Sequence, residues 1–254
     1  MNGLSLIRGS ISILLFAGCW EVATTFNLID HRFVPKLSAI LWALFSEVVW
    51  GTLSDAILGT IGTALSSLMI AALLGMFSGV VLGVTPRARD YAMPLVEALR
   101  PIPSVALIPV FVLILGISLQ TIYWVVAIGC FWPVLLATLY GVRQVDEVLL
   151  DVAQTLHLPR SSILTKIVFP AALPSVVGGV RIALAISLIS TVTCEMVMGF
   201  HGVGGYILEK ERSFLFPEMY AGIVMLSIGG LLINRVFVRV ERNLIFWANE
   251  KDLV

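Results

Sequence analysis

Charged side chains are scarce in this sequence. They make up 13% of its residues, about half of the roughly 25% usual in soluble domains. Formal net charge is zero and there is no basic tract, so nucleic acid is not an expected partner. Cysteine is almost missing: Cys19, Cys130 and Cys194 are odd in number, widely spaced and set inside apolar runs. That pattern argues against a disulfide framework or a metal cluster, and the three read as small buried hydrophobes. Phe16-Ala17-Gly18-Cys19 sits near a lipoprotein-type cleavage box, but the apolar run continues past it and further runs follow, so no cleaved signal is expected.

Catalytic motifs are missing too. The three histidines, His31, His157 and His201, all fall between apolar runs, and neither His-Glu-x-x-His nor Gly-x-Ser-x-Gly occurs. An intramembrane enzyme therefore has no visible machinery. Glycine is never followed by lysine, so the phosphate-cradling Gly-x-x-x-x-Gly-Lys-Ser/Thr loop is absent.

What is present is apolar: 59% hydrophobic residues and a mean hydropathy of +1.00 over 254 residues. This is the composition of an integral membrane protein, and one membrane domain fills the chain. A helix needs about 20 apolar residues to cross ~30 Å of hydrocarbon. Six runs qualify, at Leu6–Phe26, Ile57–Val84, Leu95–Leu115, Leu119–Val142, Val176–Met198 and Met219–Val240. The expected fold is an all-α polytopic bundle of about six transmembrane helices. Arg100-Pro101-Ile102-Pro103 and Pro109 interrupt the third run, which predicts a kinked or partly unwound span packed against protein.

Lys and Arg fix the expected orientation. With the N-terminus inside, the inner side receives twelve, Arg8, Arg87, Arg89, Arg100, Arg143, Arg160, Lys166, Arg181, Arg235, Arg239, Arg242 and Lys251. The outer side receives four, Arg32, Lys36, Lys210 and Arg212. Both termini are thus expected in the cytoplasm.

Between the first two runs, Ser38 reads as an N-cap, and Leu41, Leu44, Phe45, Val48 and Val49 form a helical stripe. Trp42 and Trp50 suit an interfacial anchor on the outer surface. In the second run Ala71, Gly75, Gly79 and Gly83 recur every four residues, a small-residue face for close helix packing. In the fifth run Ser187, Ser190, Thr191, Cys194 and Glu195 share one stripe. Glu195 is an intramembrane carboxylate, and the stripe reads either as the lining of a translocation path or as a structural interface. The external segment Gly199–Pro217, glycine-rich and mixed in charge, is a candidate outer gate or receptor surface.

The polar interruption Arg143–Pro174 stands apart. Val145, Val148, Leu149, Val152, Ala153 and Leu156 keep a 3.6-residue period, but twelve residues of helix reach only about 18 Å. A second stripe, Ile163, Leu164, Ile167 and Val168, is expected to end at Pro170 and Pro174. Two short helices at the cytoplasmic face, joined near His157-Leu158, follow.

Asp151-Val152-Ala153, His157 and Ile167-Val168-Phe169-Pro170 together resemble the EAA loop of bacterial ABC importer permeases, the coupling helix that docks into a groove on an ATPase subunit. Arg100-Pro101-Ile102-Pro103, Ala106-Leu107-Ile108-Pro109, Gly141-Val142-Arg143, Pro170-Ala171-Ala172-Leu173-Pro174, Gly179-Val180-Arg181, Glu195-Met196 and Gly202-Val203-Gly204 are similar to the nitrate, sulfonate and taurine importer group. Val152 stands where the family has a second small residue, Phe169 where it has Leu and His157 where it has Gly. His can adopt the positive φ that such a Gly supplies.

The resemblance implies a type I ABC importer permease in the bacterial inner membrane. It divides the chain into 1–56, the first helix and external segment; 57–242, the transmembrane domain with coupling helices at 143–174; and 243–254, a cytoplasmic tail. It assigns ATPase coupling to Asp151, Val152, Ala153, Gln154, His157 and Leu158. It implies no catalytic residue, no metal and no cofactor on this chain. ATP and Mg would belong to a partner ATPase dimer, alongside a second permease copy (a homodimer), an external substrate-binding protein and membrane lipid. The rival from another class, a gradient-driven secondary transporter or channel, predicts paired mid-membrane charges or an internal repeat. Glu195 is the one plausible carboxylate and no repeat is evident.

Overall fold

The computed structural model describes residues 3–26, 28–30 and 33–247, leaving aside the side chains of residues 3–11, 13 and 14. Arg8's side chain, His31, Arg32 and Lys251 thus lie outside the described residues. Among those described, every regular element is helical: α1 Gly3–Thr25, α2 Leu37–Val49, α3 Leu53–Val84, α4 Pro86–Leu99, α5 Ile108–Leu115, α6 Leu119–Arg143, α7 Glu147–Thr155, α8 Arg160–Ile163, α9 Phe169–Met198, α10 Val203–Arg212 and α11 Phe216–Leu244.

Four helices are long and apolar enough to cross a membrane, and α4 with the Ser104–Leu115 helix makes a fifth span if the pair counts as one. These match five of the six apolar runs. The first run coincides with α1, whose 23 residues would reach about 34 Å at 1.5 Å per residue.

The core is a three-helix pack of α3, α6 and α9. Leu68, Ala71, Ile122, Val125, Val126, Cys130, Val134, Ala183 and Leu184 bury one another. Small residues let the backbones meet. A Cβ at Gly79 would sit 2.6 Å from Thr138 Cβ, and one at Gly83 would sit 2.6 Å from Val142 Cγ1. The small-residue stripe Ala71, Gly75, Gly79, Gly83 thus lies on α6. Hydroxyls inside these helices turn back on their own carbonyls: Thr138 Oγ1 donates to Val134 O at 2.7 Å and Ser67 Oγ to Thr63 O at 2.8 Å. That is how a hydroxyl is carried in an apolar pack.

The prolines of the third run act as its residues predict. α4 and the Ser104–Leu115 helix meet at 81°. Pro103 is extended, Ser104 starts a 3₁₀ turn and is buried, and its hydroxyl lies against Gly129 of α6. The break is covered by protein, where its irregular backbone is tolerated.

Two local expectations are corrected. Ser38 is not the N-cap of α2; Lys36 is, without a side-chain bond. Ser38 instead donates through N–H and O–H to Glu21 of α1, at 3.3 and 2.8 Å, so a neighbouring helix brings the acceptor that a cap would supply. On α2, Ile40 and Ala43 are buried and Leu44 packs against the neighbouring core, while Leu41, Phe45, Val48, Val49, Trp42 and Trp50 are exposed.

Pro170 and Pro174 do not end the second short helix either. From Arg160 the chain runs as one 39-residue helix to Met198, passing through a π turn at Leu164–Val168. Pro170 falls in the first turn beyond it and Pro174 inside α9. A π turn shifts the carbonyls that a proline ring would otherwise strike, so the helix continues.

Candidate functional site

At one end of the bundle lies the polar interruption. Asp146 opens α7, its Oδ1 accepting from Val148 N–H at 2.9 Å. The close of α7 is a Schellman motif: His157 N–H donates to Gln154 O at 2.9 Å and Leu158 N–H to Ala153 O at 3.1 Å. His157 takes the left-handed position with φ 52. The same closure ends α9 at Gly199 and α10 at Phe214.

Periodicity makes α7 amphipathic, and packing divides its apolar residues between two directions. Ala153 is fully buried, and Leu150 joins Val142, Val145, Val168 and Ala172 with Ile163, Leu164 and Ile167 in a small cluster under the bundle. Val148, Leu149, Val152 and Leu156 point away from it, 64%, 47%, 51% and 65% exposed. At 100° per residue these four fall on one face. A contiguous apolar row on a short helix marks a surface made to be covered.

At the opposite end, Glu195 is 1% exposed and fully engaged. Thr60 Oγ1 of α3 donates to its carboxylate at 2.9 and 3.0 Å, and Gly204 N–H at 2.9 Å. Thr60 Oγ1 in turn accepts from Val203 N–H at 2.8 Å. Two free N–H groups at the start of α10 are thereby satisfied by side chains from two other helices, at the helix end that favours a negative charge. Gly202 and Gly204 make room: a Cβ on Gly202 would strike the Glu195 carboxylate, and one on Gly204 would strike Val192 O. Above this knot a cavity of about 440 Å³ opens, lined by His201, Tyr206, Glu209 and Arg212 among others. Tyr206 itself is buried, and burial together with the nearby Glu47 carboxylate pushes its phenol above the ordinary range.

Residues 71–246 match the family of binding-protein-dependent transport system inner membrane components. The chain belongs to that family. This inner membrane component is 30% identical over 174 residues to the candidate aliphatic sulfonates transport permease SsuC of Bacillus subtilis, covering 68% of this chain and 63% of that one. It is 30% identical to the nitrate import permease NrtB of Synechocystis and 29% identical to the taurine transport system permease TauC of Escherichia coli, each over 173 residues, 68% of this chain and 62% of the relative. The matched part thus spans less than two thirds of these relatives' length. An inward-facing MetNI methionine ABC transporter chain superposes with a TM-score of 0.68 at 20% identity, over 78% of this chain and 97% of that one. A chain of an amino acid ABC transporter with histidines gives 0.63 at 14%, over 80% and 97%. The fold is that of type I ABC importer permeases.

Of the residues to which the sequence resemblance assigns coupling, Asp151, Val152, Gln154 and His157 are exposed, Leu158 is half-buried and Ala153 is buried. Ser187, Ser190, Thr191 and Glu195 come together in the protein interior. Ser187 Oγ donates to Leu184 O at 2.9 Å, while Thr191 Oγ1 is buried without a partner. Thr60 was not legible as a member of this group. It stands 135 residues from Glu195, and in the sequence it is one of five hydroxyl residues in its run, Thr60, Thr63, Ser66, Ser67 and Ser78.

The turn gives a first test. An L-residue in the left-handed region costs about 1 kcal/mol that Gly avoids, so His157→Gly should fold at least as well as the parent. ATPase association and uptake should stay within roughly twofold, since Gly keeps the Schellman closure. A large loss of association would show that the imidazole itself makes a contact.

Proposed function

We propose that this chain is the permease subunit of an ATP-driven importer, carrying a small solute across the bacterial inner membrane with both termini in the cytoplasm. The exposed row Val148, Leu149, Val152 and Leu156 on α7 carries this reading, in a chain with no nucleotide-binding loop of its own. The row would seat in a groove on a separate ATPase, which holds ATP and Mg. Asp151, Gln154, His157 and Leu158 would frame the contact, and Ala153 is the small residue that lets α7 lie close beneath the bundle.

The working unit would be two copies of this chain, two ATPase subunits and an external binding protein. The solute class is a small oxyanion such as nitrate, a sulfonate or taurine, by likeness to NrtB, SsuC and TauC. Alternating access requires the chain to make different contacts in two states. The stripe Ser187, Ser190, Thr191 and Glu195 enters as packing while α3, α9 and α10 are together, and as polar lining when they part.

Reconstitution tests the proposal. The permease should co-purify with an ATPase subunit, and uptake of nitrate or an alkanesulfonate by proteoliposomes should require that subunit, ATP and the external binding protein. Uptake driven by an ion gradient in the absence of any ATPase would overturn it in favour of a secondary transporter.

A further inference from the structure

The C-terminal third of α11 carries a feature that transport does not use. Arg235, Arg239 and Arg242 recur at i, i+4 and i+7, so they share one face of the helix. They line a groove of about 600 Å³ together with Asn243, Leu232 and Val236. Among the described residues none of the three arginines makes an ion pair. The adjacent carboxylate, Glu241, is engaged by Arg181 of α9 at 3.6 Å. Among the described residues the groove therefore holds three guanidinium groups with no carboxylate partner.

Its position narrows the ligand. Phe216 begins α11, and nineteen residues of helix separate it from Arg235, about 28 Å at 1.5 Å per residue, close to the ~30 Å of a hydrocarbon core. The arginines thus fall at the boundary opposite the Glu195 knot, on the side where α7 lies. Leu232, exposed and one turn before Arg235, continues the same face towards mid-membrane. Phe246 and Trp247, also exposed and packed edge to face, follow where interfacial aromatics belong. A ligand that fits this face has an anionic group below and a hydrocarbon chain above. A second copy meeting this face with its own would oppose arginines to arginines.

We propose that this groove is a binding site for an anionic phospholipid of the inner leaflet, with Arg235, Arg239 and Arg242 on the phosphate and Leu232 along the acyl chain. The inference rests on the reading of the chain as a membrane permease. Each arginine at an anionic surface is worth about fivefold in affinity. The test uses the full complex with its ATPase, reconstituted with phosphatidylglycerol diluted into phosphatidylcholine, extracted, and weighed intact by native mass spectrometry.

The parent, and the triple variant Arg235→Lys, Arg239→Lys, Arg242→Lys, should each retain phosphatidylglycerol in preference to phosphatidylcholine. The corresponding triple Gln variant should lose it by roughly a hundredfold while still eluting as the assembled complex. Equal retention by the Gln variant, equal retention of phosphatidylcholine by the parent, or loss of the ATPase subunit in place of lipid would each overturn the site. If the parent carries no ATPase at all, the transport reading fails, and the lipid count on the permease alone still decides this one.

Discussion

Val152→Glu combined with Leu156→Glu is expected to strip the ATPase from the purified permease and to abolish ATP-driven uptake. Both side chains lie on the exposed row of α7, 51% and 65% accessible, and neither belongs to the buried cluster under the bundle. The bundle should insert and elute normally. At the proposed docking surface the effect should be large. Covering a Val or Leu side chain is worth about 1.5–3 kcal/mol, and a carboxylate forced into an apolar groove adds a desolvation cost. Affinity should drop by at least about a hundredfold, since 1.4 kcal/mol is a factor of ten. Co-purification measures it directly. An ATPase that stays bound to the double variant would mean that the row meets membrane rather than protein.

Glu195→Ala should destabilise the permease by roughly 3 kcal/mol, because it leaves the Thr60 hydroxyl and the Gly204 N–H buried without an acceptor. Glu195→Gln keeps an oxygen for one of the two donors and should fall between Ala and the parent. Thr60→Val should cost about 1–2 kcal/mol by orphaning Val203 N–H. Glu195→Ala with Thr60→Val should cost less than the sum, since the two side chains belong to one network. Thermal unfolding of the detergent-solubilised protein reads all four. Strict additivity would show that the hydrogen bonds do not act together.

The bundle was legible because its signals are local. A run of twenty apolar residues, the four-residue spacing of Ala71, Gly75, Gly79 and Gly83, and the proline pair at Pro101 and Pro103 each act within a few turns of themselves. The same holds for the turn at His157, where one residue's conformation closes α7. What escaped depends on partners far away in the chain. Ser38 looks like a cap until Glu21 reaches it from α1. Glu195 looks like a lone carboxylate until Thr60 and the start of α10 close over it. Pro170 reads as a stop because proline usually is one, and only the π turn before it, set by packing of Leu164, Ile167 and Val168 against Val142 and Val145, carries the helix through. The direction of the row on α7 was hidden for a related reason: its period shows that one face is apolar, and tertiary packing decides which residues turn inward.

That uninterrupted helix has a mechanical consequence. Phe169–Met198 contains 30 residues, a rod about 45 Å long, rooted beside the surface where a partner would push and ending at the carboxylate that holds α3 and α10. A rod of that length tilted by only about 5° moves its far end by about 4 Å, more than the length of any hydrogen bond in the Glu195 knot. The lever and the latch are one piece of backbone.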